Sequence, residues 1–324
     1  MDTDHDDHMS NDFNQPRTRW EAPATPVVGP SSEIHVARDR LASFFRDRAT
    51  RAGVLARRLL GMPKKTDEQL ADHLVRERRR KTRIDGSVEG SLTRTAWLSW
   101  ELLSLGCPPD HAAVVRTVGY ILAQQERPGS FGEGCSDDQH ARKTCSHYVR
   151  GFFSPGTRET VAPPVVLPSG VVVGGDDAAR FAASCLALRV ALRAGEDRRT
   201  GVRQHVESLL EMDDLWDAAG SWPATLAFLA LGATALGPLE YRGPVADVAA
   251  GIVGRQDPDG GWQGVDLLHA LDMLMAVGTP ASLDAVRRAL PLLCTLQHEN
   301  GAFDEDGSEE RALIALRALA LVDR

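Results

Sequence analysis

Cysteine is scarce in this sequence. Its five residues (Cys107, Cys135, Cys145, Cys185 and Cys294) are odd in number and lack the spacing of a disulfide framework, which points to a reducing compartment. Aromatic residues make up only 6% of the chain, enough for no more than a modest aromatic pocket. An excess of positive charge is missing too. Lys+Arg is 37 against Asp+Glu 45, a net charge of -8, and this excludes a uniformly basic nucleic-acid binder. The opening MDTDHDDHMSND is acidic and polar, the opposite of a signal peptide. No long aliphatic run is present. The uncharged stretch from Ala218 to Leu239 is interrupted by Gly220, Pro223, Gly232 and Gly237, and it reads as a helix buried inside a soluble fold rather than a membrane span. The expected location is cytoplasmic. P-loop, dinucleotide, G-x-S-x-G and H-E-x-x-H motifs are all lacking.

What remains is a globular composition, 43% apolar and 25% charged over 324 residues. Residues 1–32, rich in Asp, Asn, Pro and Ser, are expected to be a disordered acidic tail. Between Val36 and Arg83 there are 15 Lys+Arg against 6 Asp+Glu. Residues 33–66 read as a basic amphipathic helix with Leu41, Phe44, Phe45, Val54, Leu55, Leu59 and Leu60 on its apolar side. Two readings stand for 36–83. One is attachment to an anionic membrane surface or a protein partner, which would make the chain peripheral to the membrane. The other is a solvated outer helix packed on the core.

The most informative feature is an internal repeat. Gln125-Glu-Arg-Pro-Gly129-Ser-Phe131, Gln256-Asp-Pro-Asp-Gly260-Gly-Trp262 and Gln297-His-Glu-Asn-Gly301-Ala-Phe303 share the frame Q-x-x-x-G-x-aromatic. Trp216-x-x-x-Gly220-x-Trp222 and Thr82-x-x-x-Gly86-x-Val88 carry weaker forms. The separations are close to 43 residues except between 125 and 216, so one degenerate copy is expected near Pro168–Gly170. Before the landmarks lie amphipathic helices such as 109–125, 242–256 and 281–297. After them lie Ala- and Leu-rich ones at 91–105, 138–152, 176–193, 223–236, 264–277 and 308–322. Gly suits the end of the first helix of each pair and an acidic or hydroxyl residue the start of the second. The pattern predicts a single all-α domain over 67–324, six helical hairpins closed into a ring with the apolar helices inside.

The frame resembles the QW repeat of squalene-hopene cyclases and related class II terpene cyclases, which share an α/α toroid with the β-subunits of protein prenyltransferases. The resemblance covers roughly residues 67–324 and implies that toroid. It also implies a protonation-initiated isoprenoid cyclase, an isomerase acting on an apolar small molecule. Gly174-Gly-Asp176-Asp177-Ala-Ala179 is similar to the class II D-x-D-D-T-A run, with Gly174 in place of its first Asp and Ala178 in place of its Thr. The resemblance implies Asp176 as general acid and Asp177 as the group that tunes it. Trp97, Trp100, Phe181, Trp222, Phe228 and Trp262 are the aromatics available to line a pocket.

Two further readings stay open. Cys135, His140, Cys145 and His147 fall within thirteen residues, with ligand types that suit zinc; a zinc-dependent prenyltransferase-like enzyme would use them. A non-catalytic toroid that binds a protein or peptide is the other. The acids near the inner helix starts (Asp137, Asp138, Asp176, Asp177, Asp266, Glu309 and Glu310) read either as N-caps or as an acidic rim. Val161 to Val173 reads as an extended segment or short hairpin that lids the mouth.

Overall fold

The computed structural model describes residues 30–124, 162–220 and 222–322. Thirteen α-helices and one two-stranded hairpin make up the described residues. In chain order they are α1 (Pro30–Phe45), α2 (Arg51–Leu59), α3 (Asp67–Lys81), α4 (Leu92–Ser104), α5 (Ala112–Ala123), β1 (Val165–Val166), β2 (Val172–Val173) and α6 (Asp176–Arg193). They continue with α7 (Thr200–Leu210), α8 (Asp213–Trp216), α9 (Ala224–Thr234), α10 (Arg242–Val253), α11 (Leu267–Val277), α12 (Pro280–Thr295) and α13 (Glu309–Leu319).

The helices alternate between an outer and an inner layer, forming an α/α toroid of six hairpins. Inner helices α4, α6, α9, α11, α13 and α2 follow one another around the ring, and α13 packs on α2 to bring its two ends together. Outside, α1 lies against α12, the last outer helix. The inner helices are built of small and aliphatic residues because neighbours surround them. In α9 every residue from Leu226 to Thr234 is buried, and only an uncharged stretch tolerates that. Among the described residues no helix is long and apolar enough to cross a membrane.

The landmark turns share one backbone pattern. In each, the first N–H donates to the carbonyl four residues on, and the glycine N–H donates back to the first carbonyl. The pairs are Arg83 to Ser87 (2.8 Å) with Gly86, Asp257 to Gly261 (2.9 Å) with Gly260, and His298 to Ala302 (2.9 Å) with Gly301. Leu167 to Val171 (2.8 Å) with Gly170 repeats it, so the copy expected near Pro168–Gly170 is present, as the tip of the β1–β2 hairpin. All four glycines have φ between +84° and +95°, a region an L side chain rarely adopts. The Gln residues reach across to the next outer helix. Gln256 Nε2 donates to Ala285 O on α12 (2.8 Å), and Gln297 Nε2 donates to Ala37 O on α1 (3.1 Å). The second of these bonds spans the ring closure.

Two expectations are revised. The basic stretch 33–66 is two helices, not one, and together they form the first hairpin of the ring. Thr50 ends the continuity by capping α2, its Oγ1 accepting from Gly53 N (3.1 Å). Arg57 then turns inward, donating to Phe45 O (2.8 Å) and Arg48 O (2.9 Å) and pairing with buried Asp67 (2.6 Å). The sixth inner helix of the described ring is therefore α2; the expected helix at 138–152 lies outside the described residues. So do residues 1–29 of the tail expected at 1–32, whose last three residues instead open α1, together with the whole Gln125–Phe131 landmark and the whole Cys135–His147 cluster.

Candidate functional site

Five of the six inner helices and the turn after α9 border one central cavity of about 450 Å³, within the range of small-molecule sites. Leu55 and Leu59 come from α2, Trp100 from α4, Arg189 and Arg193 from α6, Leu236 from the turn after α9, Asp272 and Met275 from α11, and Leu313, Ile314 and Arg317 from α13. A second cavity of about 710 Å³ lies between α3, the start of α4, the β-hairpin and the start of α13. Glu310 and Pro168 border both spaces.

The hairpin is tied down over this end of the ring. Its tip carbonyl, Ser169 O, accepts from Arg311 Nη1, while Arg311 Nη2 donates to Asp266 Oδ2 (3.0 Å). Val165, Leu167 and Val173 are buried, whereas Val166 and Val172 face outward.

The carboxyl groups near the helix starts do different jobs. Asp266 caps α11, accepting from His269 N (3.0 Å). Glu309 accepts from Thr50 Oγ1 and from Arg48 Nη1 (3.1 Å), joining α13 to the α1–α2 turn. Asp176 accepts from Ala162 N (2.6 Å), and both its oxygens lie 3.1 Å from Nε of buried Arg180. A guanidinium and a backbone N–H thus occupy both oxygens of this carboxyl group. Asp177 is exposed on the first turn of α6. Glu310 is paired as well, accepting from Arg51 Nη2, but it also borders both cavities. Burial raises its carboxyl above the usual carboxylate range; Arg51 pulls it back, and Glu101 and Asp272 push it up again.

Of the six aromatics, Trp97 and Trp100 reach the cavities. Trp97 lies 5.5 Å from the Arg51 guanidinium. The others pack in the core: Phe181 against Trp222 at 4.8 Å, and Phe228 against Trp262 at 5.5 Å. Trp262 also donates Nε1–H to Ile252 O (3.0 Å), which fixes it to the outer helix of its own hairpin.

The deepest feature of the lumen is ionic. Asp272 Oδ2 accepts from Arg189 Nη1 (3.0 Å) and Oδ1 from Arg317 Nη1 (2.8 Å), a triad linking α6, α11 and α13. Burial would raise Asp272, but the two guanidiniums outweigh it and hold its carboxyl below the ordinary range. Single-sequence reasoning passed over Arg189, Arg193, Asp272, Arg317 and Arg51. A signal was present: a lone Asp in LLHALDMLMAV and two Arg in the apolar run ASCLALRVALR are charges on helices whose composition marks them as buried.

No protein-family model matches this sequence, and comparison with curated proteins finds no relative. The fold has a counterpart among solved structures. The apo structure of type II terpene cyclase MstE from Scytonema superposes with a TM-score of 0.53 at 13% identity, covering 90% of this chain and 97% of that one. A single-substitution variant of the same enzyme, also apo, superposes with a TM-score of 0.53 at 12% identity over 90% and 98% of the two chains. At that identity the likeness is one of fold. Among the described residues no group of three His, Cys, Asp or Glu side chains is placed to hold a metal ion.

Proposed function

We propose that the lumen is the reaction chamber of a terpene-cyclase-like isomerase, which folds a linear isoprenoid and starts its cyclisation by protonation. One observation carries this reading. A carboxyl group with a raised pKa, Glu310, stands where the hairpin-covered cavity meets the central lumen, beside Trp97 and Trp100. The ring shared with MstE over 90% of the chain supports it.

Glu310 is the better-placed donor within this reading. Asp176 is engaged by Arg180 and Ala162 N, and we assign it the task of holding the hairpin base to the start of α6. Glu310 transfers its proton to a terminal alkene carbon, leaving a tertiary cation that the next double bond attacks. The cyclised cation then loses a proton to water and Glu310 takes one back from water, so the enzyme is regenerated and substrate and product are isomers. Trp97 and Trp100 offer π-faces to the cation, and Arg51 stabilises the carboxylate that proton transfer leaves on Glu310. Trp222, Phe228, Phe181 and Trp262 act by shaping the ring.

The test is product analysis after incubating the full chain with farnesyl and geranylgeranyl alcohols and their phosphates. Glu310→Gln is expected to lower turnover by about 10²–10⁴ with its melting temperature within a few degrees of the parent. Asp176→Asn is expected to lose stability and retain turnover per folded molecule. If Asp176→Asn abolished turnover while Glu310→Gln kept it, the assignment of the acid would be overturned.

A further inference from the structure

At the far pole of the lumen from Glu310, the charges do not balance. Arg189 and Arg317 share a single carboxylate, Asp272, and Arg193 borders the same cavity. Arg193 has no ion-pair partner among the described residues. Its guanidinium lies 4.6 Å from the Trp100 ring, on which Arg189 also stacks at 4.4 Å. Two cations on one indole repel each other at close range, and Arg317 adds a third. The side chain of Arg189 is only 3% exposed, and its Nε finds no acceptor among the described residues. Burial and the guanidiniums of Arg189 and Arg317 lower the pKa of Arg193, which nonetheless stays charged.

Such a cluster persists where something negative completes it. We infer that Arg193, Arg317 and Arg189 form an oxyanion site at this pole of the lumen, one that takes a phosphate group. The planar donors of arginine suit paired contacts to phosphate oxygens, and Trp100 forms one wall. Leu55, Leu59, Leu236, Met275, Leu313 and Ile314 border the same cavity, so a phosphate there has apolar surface beside it. Glu310 and Arg317 are seven residues apart on α13, about 10 Å along the helix axis. The inference rests on the lumen being the ligand chamber, although it does not require that Glu310 be an acid.

The chemistry has two sources, free inorganic phosphate or the head of an alkyl phosphate. Calorimetric titration of the full chain with sodium phosphate, decyl phosphate and decanol, at matched ionic strength, separates them. The expected result is saturable binding of decyl phosphate, weakened at least tenfold by Arg193→Gln and by Arg317→Gln and unchanged by Arg76→Gln on the outer face. Binding of inorganic phosphate with the same dependence on Arg193 would support a site for the free anion. Binding of decyl phosphate alone would support a headgroup site. Decanol binding as tightly as decyl phosphate, with Arg193→Gln making no difference, would overturn the oxyanion site and leave the apolar chamber standing. Failure of all three probes to bind would overturn both.

Discussion

His205 on α7 is buried, and removal from water lowers its pKa to about 3. In the unfolded chain an imidazole titrates near 6.5. The folded state therefore binds fewer protons, and the contribution of His205 to stability is complete above pH ~6.5 and is lost as pH falls toward 3. The slope is up to about 1.4 kcal/mol per pH unit. Asp67, lowered by its bond to Arg57, runs in the same direction but only below the usual carboxylate range. Glu310, being raised, has the opposite sign and loses its contribution as pH climbs. Replacing His205 with Gln should thus flatten the dependence of the urea midpoint on pH between about 6.5 and 4.5; an unchanged slope would contradict burial of a neutral imidazole. Asp272 makes a different prediction. It is the one carboxylate between Arg189 and Arg317, and taking away one partner of a buried ionic group typically costs about 3–5 kcal/mol. Asp272→Ala should lower the unfolding free energy by an amount in that range, read in urea, and a loss below about 1 kcal/mol would mean that water reaches the triad.

Among the elements, the landmark turns set the spacing between neighbouring hairpins. At Gly301, with φ +88°, an added Cβ would lie 2.7 Å from Arg40 O and 3.0 Å from the Phe44 Cβ on α1. Gly307, at φ +67°, has open space around that position. Gly307→Ala should cost about 1 kcal/mol from backbone strain alone, and Gly301→Ala about 1–3 kcal/mol more. Equal losses in chemical denaturation would show that α1 does not press on the turn. These turns were legible in the sequence because the glycine and the aromatic recur at a fixed interval. The Asx residue before the glycine was a further clue that went unused: Asp85, Asp259 and Asn300 each accept from the N–H two residues on. The α1–α2 hairpin was not legible. It lacks the landmark glycine, and its arginines suggest a solvated surface, whereas Arg51 and Arg57 are 4% exposed and ion-paired inside the ring. Burial of a paired arginine depends on a partner distant in sequence, such as Glu310 for Arg51, and local patterning carries no record of it.

For the molecule as a whole, closure is the property from which the site follows. α13 packs on α2 and α1 on α12, which leaves a lumen bordered by five inner helices and the turn after the sixth, with a hairpin over one end. The ring was readable from periodicity. The lumen's chemistry was not, because the residues that face it come from segments 51–59, 100–104, 189–193, 272–276 and 310–317, brought together only by closure. Likeness to a short acidic run points to Asp176 and Asp177, whereas the carboxyl group bordering both cavities is Glu310, one of five acids near inner helix starts among the described residues. The central claim is that this lumen protonates and cyclises an isoprenoid. It is tested most directly by incubating the full chain with geranylgeranyl and farnesyl alcohols and their phosphates in deuterated water and analysing the products by mass spectrometry. The account predicts a cyclic product carrying one carbon-bound deuterium, absent when Glu310 is replaced by Gln. Recovery of every substrate as the unchanged linear compound, or a cyclic product without deuterium, would contradict it.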